Sequence, residues 1–184
     1  MPEARDFDMF YAATSRRLVG QIFAMTGNLG EAEDAVQEAY IKAWRKWSLV
    51  GAYESPEAWV RLVAYRMSVN AWSKARNRLF AHHRAVLDHE TPGLSPDLVA
   101  LVSALRQIPG AQRRAIVLHY LADLSVDEIA AETGAPPGTV TARLARGRKA
   151  LAPLVAESDD APLALRSHRD SSPVNFTRKA ATHA

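Results

Sequence analysis

The fold class is decided by residues 125–151, which read SVDEIAAETGAPPGTVTARLARGRKAL. Ser125 and Glu128 form an S-x-x-E capping box, which indicates that a helix begins there. Gly134 can adopt the positive φ of a tight turn between helices, and Ala130 is small enough to let two helices cross closely. The stretch therefore predicts two helices joined by a tight turn.

The second of these helices would begin at Pro136 or Pro137, and it has an apolar face and a basic face. The apolar face carries Val140, Leu144 and Leu151. The basic face carries Arg143, Arg146, Arg148 and Lys149, and residues 137–152 contain no acid. The pattern is typical of a helix-turn-helix whose second helix enters a DNA major groove. A helical hairpin with a solvated basic face is the alternative.

The remainder of the chain also has helical periodicity, and strand patterns are almost absent. A first helix with Phe7, Tyr11, Leu18, Ile22 and Met25 near one face should stop at residues 27–30. A second is expected over residues 31–47, with Val36, Tyr40, Ala43, Trp44 and Trp47 buried. A third should run from Pro56 to Arg78, with Trp59, Leu62, Val63, Met67 and either Val69 or Ala71 facing inward. We therefore predict an all-α protein.

Changes in composition divide the chain into four parts. Residues 1–78 form one small helical domain, and residues 97–152 form a second one that contains the helix-turn-helix. A linker, residues 79–96, contains three histidines and the string Thr91-Pro92-Gly93-Leu94-Ser95-Pro96, and a flexible tail, residues 153–184, has no periodicity.

Composition excludes several classes of protein. The 184 residues include no cysteine, so disulfide scaffolds and cysteine-based zinc sites are excluded. We find no signal peptide, no membrane-spanning stretch, no glycine loop for phosphate, no nucleophile elbow and no metal triad, so we expect a cytoplasmic protein that is not an enzyme and needs no cofactor. His82, His83, His89 and Asp88 are better explained as part of the linker than as a metal site.

The net charge of +3 conceals an alternation of sign along the chain. The balance of Lys and Arg over Asp and Glu is −3 for residues 1–60, +5 for 61–89, −3 for 90–136 and +4 for 137–152. The first basic segment and its N-terminal flank carry the aromatic residues Trp59, Tyr65, Trp72 and Phe80. Cations interleaved with aromatic rings suit single-stranded nucleic acid, although for Trp59 a place in the core is at least as good an account.

Taken together, these residues resemble bacterial RNA polymerase sigma factors of the extracytoplasmic-function (ECF) type over about residues 7–151. Residues 30–38, GEAEDAVQE, followed by Ala43-Trp44, look like the family's core-binding helix of region 2. Residues 59–78 resemble the helix that engages the −10 element. Residues 138–151 are similar to the region 4 helix that reads the −35 element.

The resemblance implies a promoter-specificity factor that binds core RNA polymerase through the β′ clamp helices and the β flap. Docking on polymerase would use Glu33, Asp34, Gln37, Glu38, Ile41 and Trp44. Single-stranded −10 DNA would be bound by Tyr53, Ser55, Trp59, Arg66, Asn70, Ser73 and Lys74, with residues 48–55 as the pocket for a flipped base. Duplex −35 DNA would be bound by Thr139, Thr141, Ala142, Arg143, Ala145, Arg146, Arg148 and Lys149.

Two departures from the family pattern concern the −10 helix. Arg66 stands where the family usually has asparagine, and Asn70 stands where an acid is common. The −10 base preference is therefore less transferable than the −35 geometry. The resemblance also allows an anti-sigma factor as a partner, although no residue identifies one. A self-sufficient helix-turn-helix repressor or activator and a protein-binding helical adaptor are the alternative functions.

Overall fold

The computed structural model describes residues 2–78 and 96–156. These residues form eight helices, and neither range contains a strand, which confirms the all-α prediction. The helices are α1 (Pro2–Thr26), α2 (Leu29–Arg45), α3 (Trp47–Val50), α4 (Pro56–Arg78), α5 (Pro96–Leu105), α6 (Gly110–Tyr120), α7 (Val126–Thr133) and α8 (Pro137–Ala156). The three histidines of the predicted linker and residues 157–184 of the predicted tail lie outside the described residues.

The first block consists of α1 to α4, and its helix boundaries follow local capping signals. α1 ends before Gly27, whose φ of 81° is the left-handed conformation that glycine tolerates. The Asn28 side chain then accepts a hydrogen bond from the Glu31 N–H (3.2 Å), so α2 begins at residue 29, two residues earlier than predicted. Ser55 caps α4 as expected, because its hydroxyl accepts from the Ala58 N–H (3.2 Å).

The prediction that Trp44 is buried was wrong, and the end of α2 differs from the predicted one. The buried stripe of α2 follows Ala32, Ala35, Val36, Ala39, Tyr40 and Ala43. Trp44 lies about 40° past Tyr40, at the outer edge of that stripe, and is 48% exposed. Trp47 does not belong to α2 at all but begins α3, where it is partly buried. Tyr11 of α1 is 46% exposed, although its ring centroid lies 4.8 Å from that of the buried Tyr40. Of the two alternatives for the inner face of α4, Val69 is 42% exposed, and the side chain of Ala71 lies outside the described residues.

The second block consists of α5 to α8. The interruption predicted at Pro109-Gly110 is present, because α5 ends at Leu105 and α6 begins at Gly110 after its N-cap Pro109. The apolar residues Ile116 and Leu118 of α6 are fully buried. α8 continues to Ala156, four residues beyond the predicted end of the block, and it accommodates Pro153. The extension is stabilised because Leu154 and Val155 pack against the core.

The two blocks are in direct contact. α1 packs against α5 and α6, and α4 reaches α7 through an ion pair. The buried apolar side chains of both blocks belong to one continuous cluster, which includes Leu18 and Ile22 of α1 together with Val102 and Leu105 of α5. The segment that was expected to separate two domains therefore connects blocks that share a core.

Candidate nucleic-acid interface

The turn between α7 and α8 has the geometry that its sequence predicts. At the start of α7, the Ser125 N–H donates to Glu128 Oε2 (2.8 Å), and the Glu128 N–H donates to Ser125 Oγ (3.3 Å). The Ser125 hydroxyl also donates to Glu128 Oε2 (2.6 Å). This hydroxyl bond, followed by the bond from the Ser125 N–H, lowers the pKa of the Glu128 carboxyl. α7 ends at Gly134, which has a φ of 68° and donates to the Ala130 carbonyl oxygen (2.9 Å). The helix-turn-helix is thus fixed at both ends of its first helix.

The orientation of α8 is set by its close packing on α6. Val140, Leu144 and Leu151 are buried on the side that faces the block, as the sequence predicts. Gly147, on the same side, lies so near Ile116 that a Cβ on this glycine would be 2.9 Å from Ile116 Cγ1. Because a larger residue would force the two helices apart, Gly147 contributes to the placement of the helix.

The opposite side of α8 is accessible and basic. Of the residues expected to bind the −35 element, Thr139, Thr141, Ala145, Arg146, Arg148 and Lys149 are exposed, and Ala142 and Arg143 are half-buried. The Thr141 hydroxyl donates to the Pro137 carbonyl oxygen (3.1 Å) within the helix. Among the described residues no carboxylate pairs with the four cations, so their charge is available to phosphate.

The residues expected to bind the −10 element are spread over the turn before α4 and along α4 itself. Tyr53 and Ser55 are exposed, but the Ser55 hydroxyl is already used as a helix cap. α3 occupies residues 47–50, so the predicted loop is shortened to residues 51–55. Arg66 is exposed. Asn70, Ser73 and Lys74 lie further along α4, with side chains outside the described residues.

Trp59 and Tyr65 of α4 are not free rings. Trp59 is half-buried and packs against the core, which agrees with the alternative that this ring belongs to the core. Tyr65 also packs against the core, and the guanidinium of Arg114 lies over its ring at 4.0 Å from the centroid.

The residues expected to dock on polymerase lie on α2. Glu33, Asp34, Gln37, Ile41 and Trp44 are exposed, and Glu38 is half-buried beside Lys42 (3.7 Å). Four of the six, namely Asp34, Gln37, Glu38 and Ile41, line an open groove of about 460 Å³ with Glu31, Ala35, Met67 and Ser68. The face is therefore acidic at one end and apolar at the other.

Buried polar residues lie between the blocks, and the sequence gives no sign of their burial. Arg61 is 3% exposed, and its Nε and Nη2 donate to Glu132 Oε2 at 3.1 and 2.8 Å. Gln21, also buried, donates to the Leu121 carbonyl oxygen (3.1 Å). No local pattern marks these residues, because their partners are 71 and 100 residues away.

Two further observations concern the described residues as a whole. No group of three His, Cys, Asp or Glu side chains in them is placed to hold a metal ion. No helix in them is both long and apolar enough to cross a membrane.

Both blocks match known families. Residues 10–78 match sigma-70 region 2, and residues 98–151 match sigma-70, region 4. The chain is 30% identical to the RNA polymerase sigma-H factor of Pseudomonas aeruginosa, over 85% of this chain and 91% of that protein. It is 32% identical to the ECF RNA polymerase sigma-E factor of Escherichia coli, over 66% of this chain and 72% of that protein.

Solved structures share the arrangement of helices. The sigma factor RpoE of Bartonella quintana, in complex with the anti-sigma factor NepR, superposes with a TM-score of 0.69 at 26% identity, covering 84% of this chain and 99% of that one. CnrH, in complex with the cytosolic domain of CnrY, has a TM-score of 0.60 at 20% identity over 85% and 91%, which is a likeness of fold alone.

The fold, the helix-turn-helix and these matches define the class of protein: a promoter-specific transcription initiation factor that works with RNA polymerase and is not an enzyme. The chain belongs to the ECF RNA polymerase sigma factors of the sigma-70 family.

Proposed function

We propose that α8 reads the −35 element as duplex DNA. Its accessible face would place Thr141, Ala142, Ala145 and Arg146 against base edges, with the Ala145 methyl suited to the methyl group of thymine. Arg143, Arg148 and Lys149 would hold phosphates on either side, and Thr139 would lie at the entry of the helix. The single observation that carries this assignment is the acid-free, unpaired basic face of α8, which its packing on α6 directs away from the block.

We further propose that the turn at residues 51–55 and α4 bind the opened −10 strand. Tyr53 and Ser55 would form the rim of a pocket for one flipped base, and Trp59 would support the pocket from the core side. Arg66 would contact the strand, followed along the helix by Asn70, Ser73 and Lys74. Flipping a base costs a few kcal/mol of unstacking, which contacts in such a pocket can offset.

The third element of the proposal is docking of α2 on core polymerase. The acidic and apolar groove beside α2 fits a partner helix with basic and apolar side chains, as expected for the β′ clamp helices. The second block would contact the β flap. The acidity of this surface also keeps it from competing for DNA, because like charges repel.

A cellular location and a regulatory partner follow from this function. A factor that works on polymerase and chromosomal promoters acts in the cytoplasm, and we propose that location. An anti-sigma factor is a candidate regulator, because the sigma factor RpoE of Bartonella quintana was solved in complex with NepR.

Run-off transcription tests the proposal. Core RNA polymerase alone, and core polymerase mixed with this chain, would be compared on promoter templates drawn from the organism's own genome. We expect promoter-specific transcripts only in the mixture, and only weak binding of duplex DNA by the chain alone. If the chain alone bound a two-fold symmetric operator tightly and supported no transcription, the protein would be a helix-turn-helix repressor and not a promoter-specificity factor.

A further inference from the structure

The turn at residues 51–55 is held on α1 at both of its ends. Before the turn, the ring of Trp47 in α3 stacks on the ring of Phe10 in α1, with 5.2 Å between the ring centroids. After the turn, the carboxylate of Glu57 in the first turn of α4 accepts two hydrogen bonds from Arg17 of α1, at 3.1 Å from Nε and 2.5 Å from Nη2. One helix therefore supports both ends of the turn.

Phe10 and Arg17 occupy nearly the same face of α1. They are seven residues apart, which is almost two helical turns and about 10 Å along the helix axis. Between them, the hydroxyls of Thr14 and the buried Tyr40 are 2.6 Å apart and hydrogen-bonded, so this part of α1 is also fixed to α2. Because α1 is one continuous helix, the spacing between the two supports of the turn is fixed.

The support before the turn is a close contact at Gly51. The Gly51 N–H donates to the Trp47 carbonyl oxygen (2.8 Å), and a Cβ on Gly51 would lie 2.9 Å from that oxygen and 3.1 Å from Trp47 Cε2. The φ of Gly51 is −64°, which any residue can adopt. Glycine is therefore needed here for space, and a larger residue would move the turn away from Trp47.

The support after the turn is an ion pair whose geometry matters more than its energy. The side chains of Arg17 and Glu57 are 55% and 21% exposed, and exposed ion pairs contribute little to folding stability. A bidentate pair nevertheless fixes the orientation of both groups as well as their distance. Lysine cannot replace arginine in this role, because its ammonium is a point charge and not a planar fork.

We propose that Arg17 is a positioning residue of the −10 pocket, which holds the turn through Glu57 and so sharpens the choice of the flipped base. The inference rests on the proposed function of this turn. Ser55 connects the pair to the pocket, because its hydroxyl caps α4 two residues before Glu57. A binding site selects its ligand well only when its groups are held within about 0.5 Å of the productive geometry.

The test uses holoenzyme and fork templates whose −10 segment is already single-stranded. 2-Aminopurine placed at each −10 position in turn identifies the flipped base, because its fluorescence rises when it leaves the stack. At that position, a wrong base should weaken binding by the wild-type holoenzyme at least about fivefold. Arg17→Lys keeps the charge but loses the bidentate pair, so it should bring this ratio close to one at that position alone. Arg5→Lys, the same change at an exposed position of α1, should retain the wild-type ratio.

Two further variants separate positioning from direct contact with DNA. Gly51→Ala displaces the other end of the turn and should also lower the ratio. Glu57→Gln breaks the same pair as Arg17→Lys, so the double variant should discriminate no worse than the single variants. Losses that multiply in the double variant, or a weakening by Arg17→Lys that is equal for all bases, would make Arg17 a DNA contact and overturn the positioning role.

Failure of the pocket and failure of the positioning role give different results. If no −10 position brightens with the wild-type holoenzyme, the pocket itself is refuted, and the role of Arg17 with it. If one position brightens and Arg17→Lys retains the wild-type ratio there, the proposed function stands and the positioning role is refuted. Arg17→Lys should unfold at the wild-type urea concentration in either case, because the pair is exposed.

Discussion

Gly147 of α8 and Ile116 of α6 are in a contact that leaves no room for a larger residue, since a Cβ at position 147 would lie 2.9 Å from Ile116 Cγ1 and 3.4 Å from Gln112 Cβ. Ile116 cannot yield easily, because it is 1% exposed and β-branched. We therefore expect Gly147→Ala to lower the free energy of unfolding by about 1–3 kcal/mol, through overpacking. Urea denaturation measures this change.

Gly138 provides the matched control for that substitution. It lies on the same helix, and a Cβ there would meet nothing within 4 Å. Gly138→Ala should leave stability unchanged or raise it by up to about 1 kcal/mol, because alanine is the better helix former. Equal stability of the two variants would show that the contact with Ile116 does not limit the packing of α8.

Tyr40 should ionise only in strongly alkaline solution. The Thr14 hydroxyl donates to the Phe10 carbonyl oxygen (2.6 Å), so the Tyr40 hydroxyl must donate to Thr14 Oγ1 (2.6 Å). Burial raises the pKa of Tyr40 to about 12. Since the unfolded value is about 10, its contribution to stability is complete below about pH 10 and is lost as the pH rises toward the folded value.

The difference in tyrosinate absorbance between the wild-type chain and Tyr40→Phe isolates this one group. We expect the difference to have a midpoint near pH 12 and to coincide with alkaline unfolding. A midpoint near the ordinary tyrosine value of about 10 would contradict the buried donor role of Tyr40.

The capping box of α7 should make the second block sensitive to acid. Hydrogen bonds from Ser125 lower the pKa of Glu128, so this carboxylate stabilises the folded state above its unfolded pKa, and the contribution is lost as the pH falls through the folded value. Glu128→Gln should therefore flatten the dependence of the urea midpoint on pH in acid. Asp127→Asn, in the same turn of α7, should retain the wild-type dependence. Ser125→Ala should cost about 1 kcal/mol at neutral pH.

Local chemistry explains which parts of the fold could be predicted from the sequence. The capping box at Ser125, the left-handed Gly134 and the cap of α4 at Ser55 involve partners within four residues, so their pattern is visible along the chain. The order of helices and the face of α8 that is buried follow from the same short-range periodicity. These features were predicted, and the structure confirms them, except that the short helix α3 lies in a segment predicted to be a loop.

Long-range packing explains what the sequence could not reveal. Arg61 occupies the buried stripe of α4, where burial of a cation is costly unless a carboxylate pairs with it. The sequence does not indicate that carboxylate, because Glu132 is 71 residues away. Trp44 was expected inside because it is large and apolar, but it lies at the edge of the buried stripe of α2, in contact with Phe7, and is 48% exposed. The roles of individual residues toward DNA and polymerase depend on partners that a single chain does not contain, and they stay predictions.

Base recognition and phosphate binding by α8 can be separated with two single substitutions. Arg146 is exposed on the face assigned to base edges, and Arg146→Ala should cost about 1–3 kcal/mol of −35 binding and relax the preference at one base pair. Arg148→Ala, which would remove a phosphate contact, should weaken binding to all −35 sequences alike. It should also reduce the slope of the logarithm of the binding constant against the logarithm of salt concentration by about one ion. Binding by holoenzyme to a panel of single-base −35 variants at several salt concentrations measures both effects. A uniform loss for Arg146→Ala would reassign that residue to phosphate.

Docking on core polymerase is tested by removing an exposed aliphatic side chain from α2. Ile41 is 38% exposed at the apolar end of the groove, and Ile41→Ala should weaken binding to core polymerase by about 1–2 kcal/mol, because the side chain would be desolvated in the interface. Val99 of α5 is similarly exposed, at 41%, but lies in the other block. Val99→Ala should have a smaller effect on the same affinity. Both variants should unfold at nearly the wild-type urea concentration, since neither residue belongs to the buried core. Equal losses of affinity would mean that α2 is not the principal docking surface.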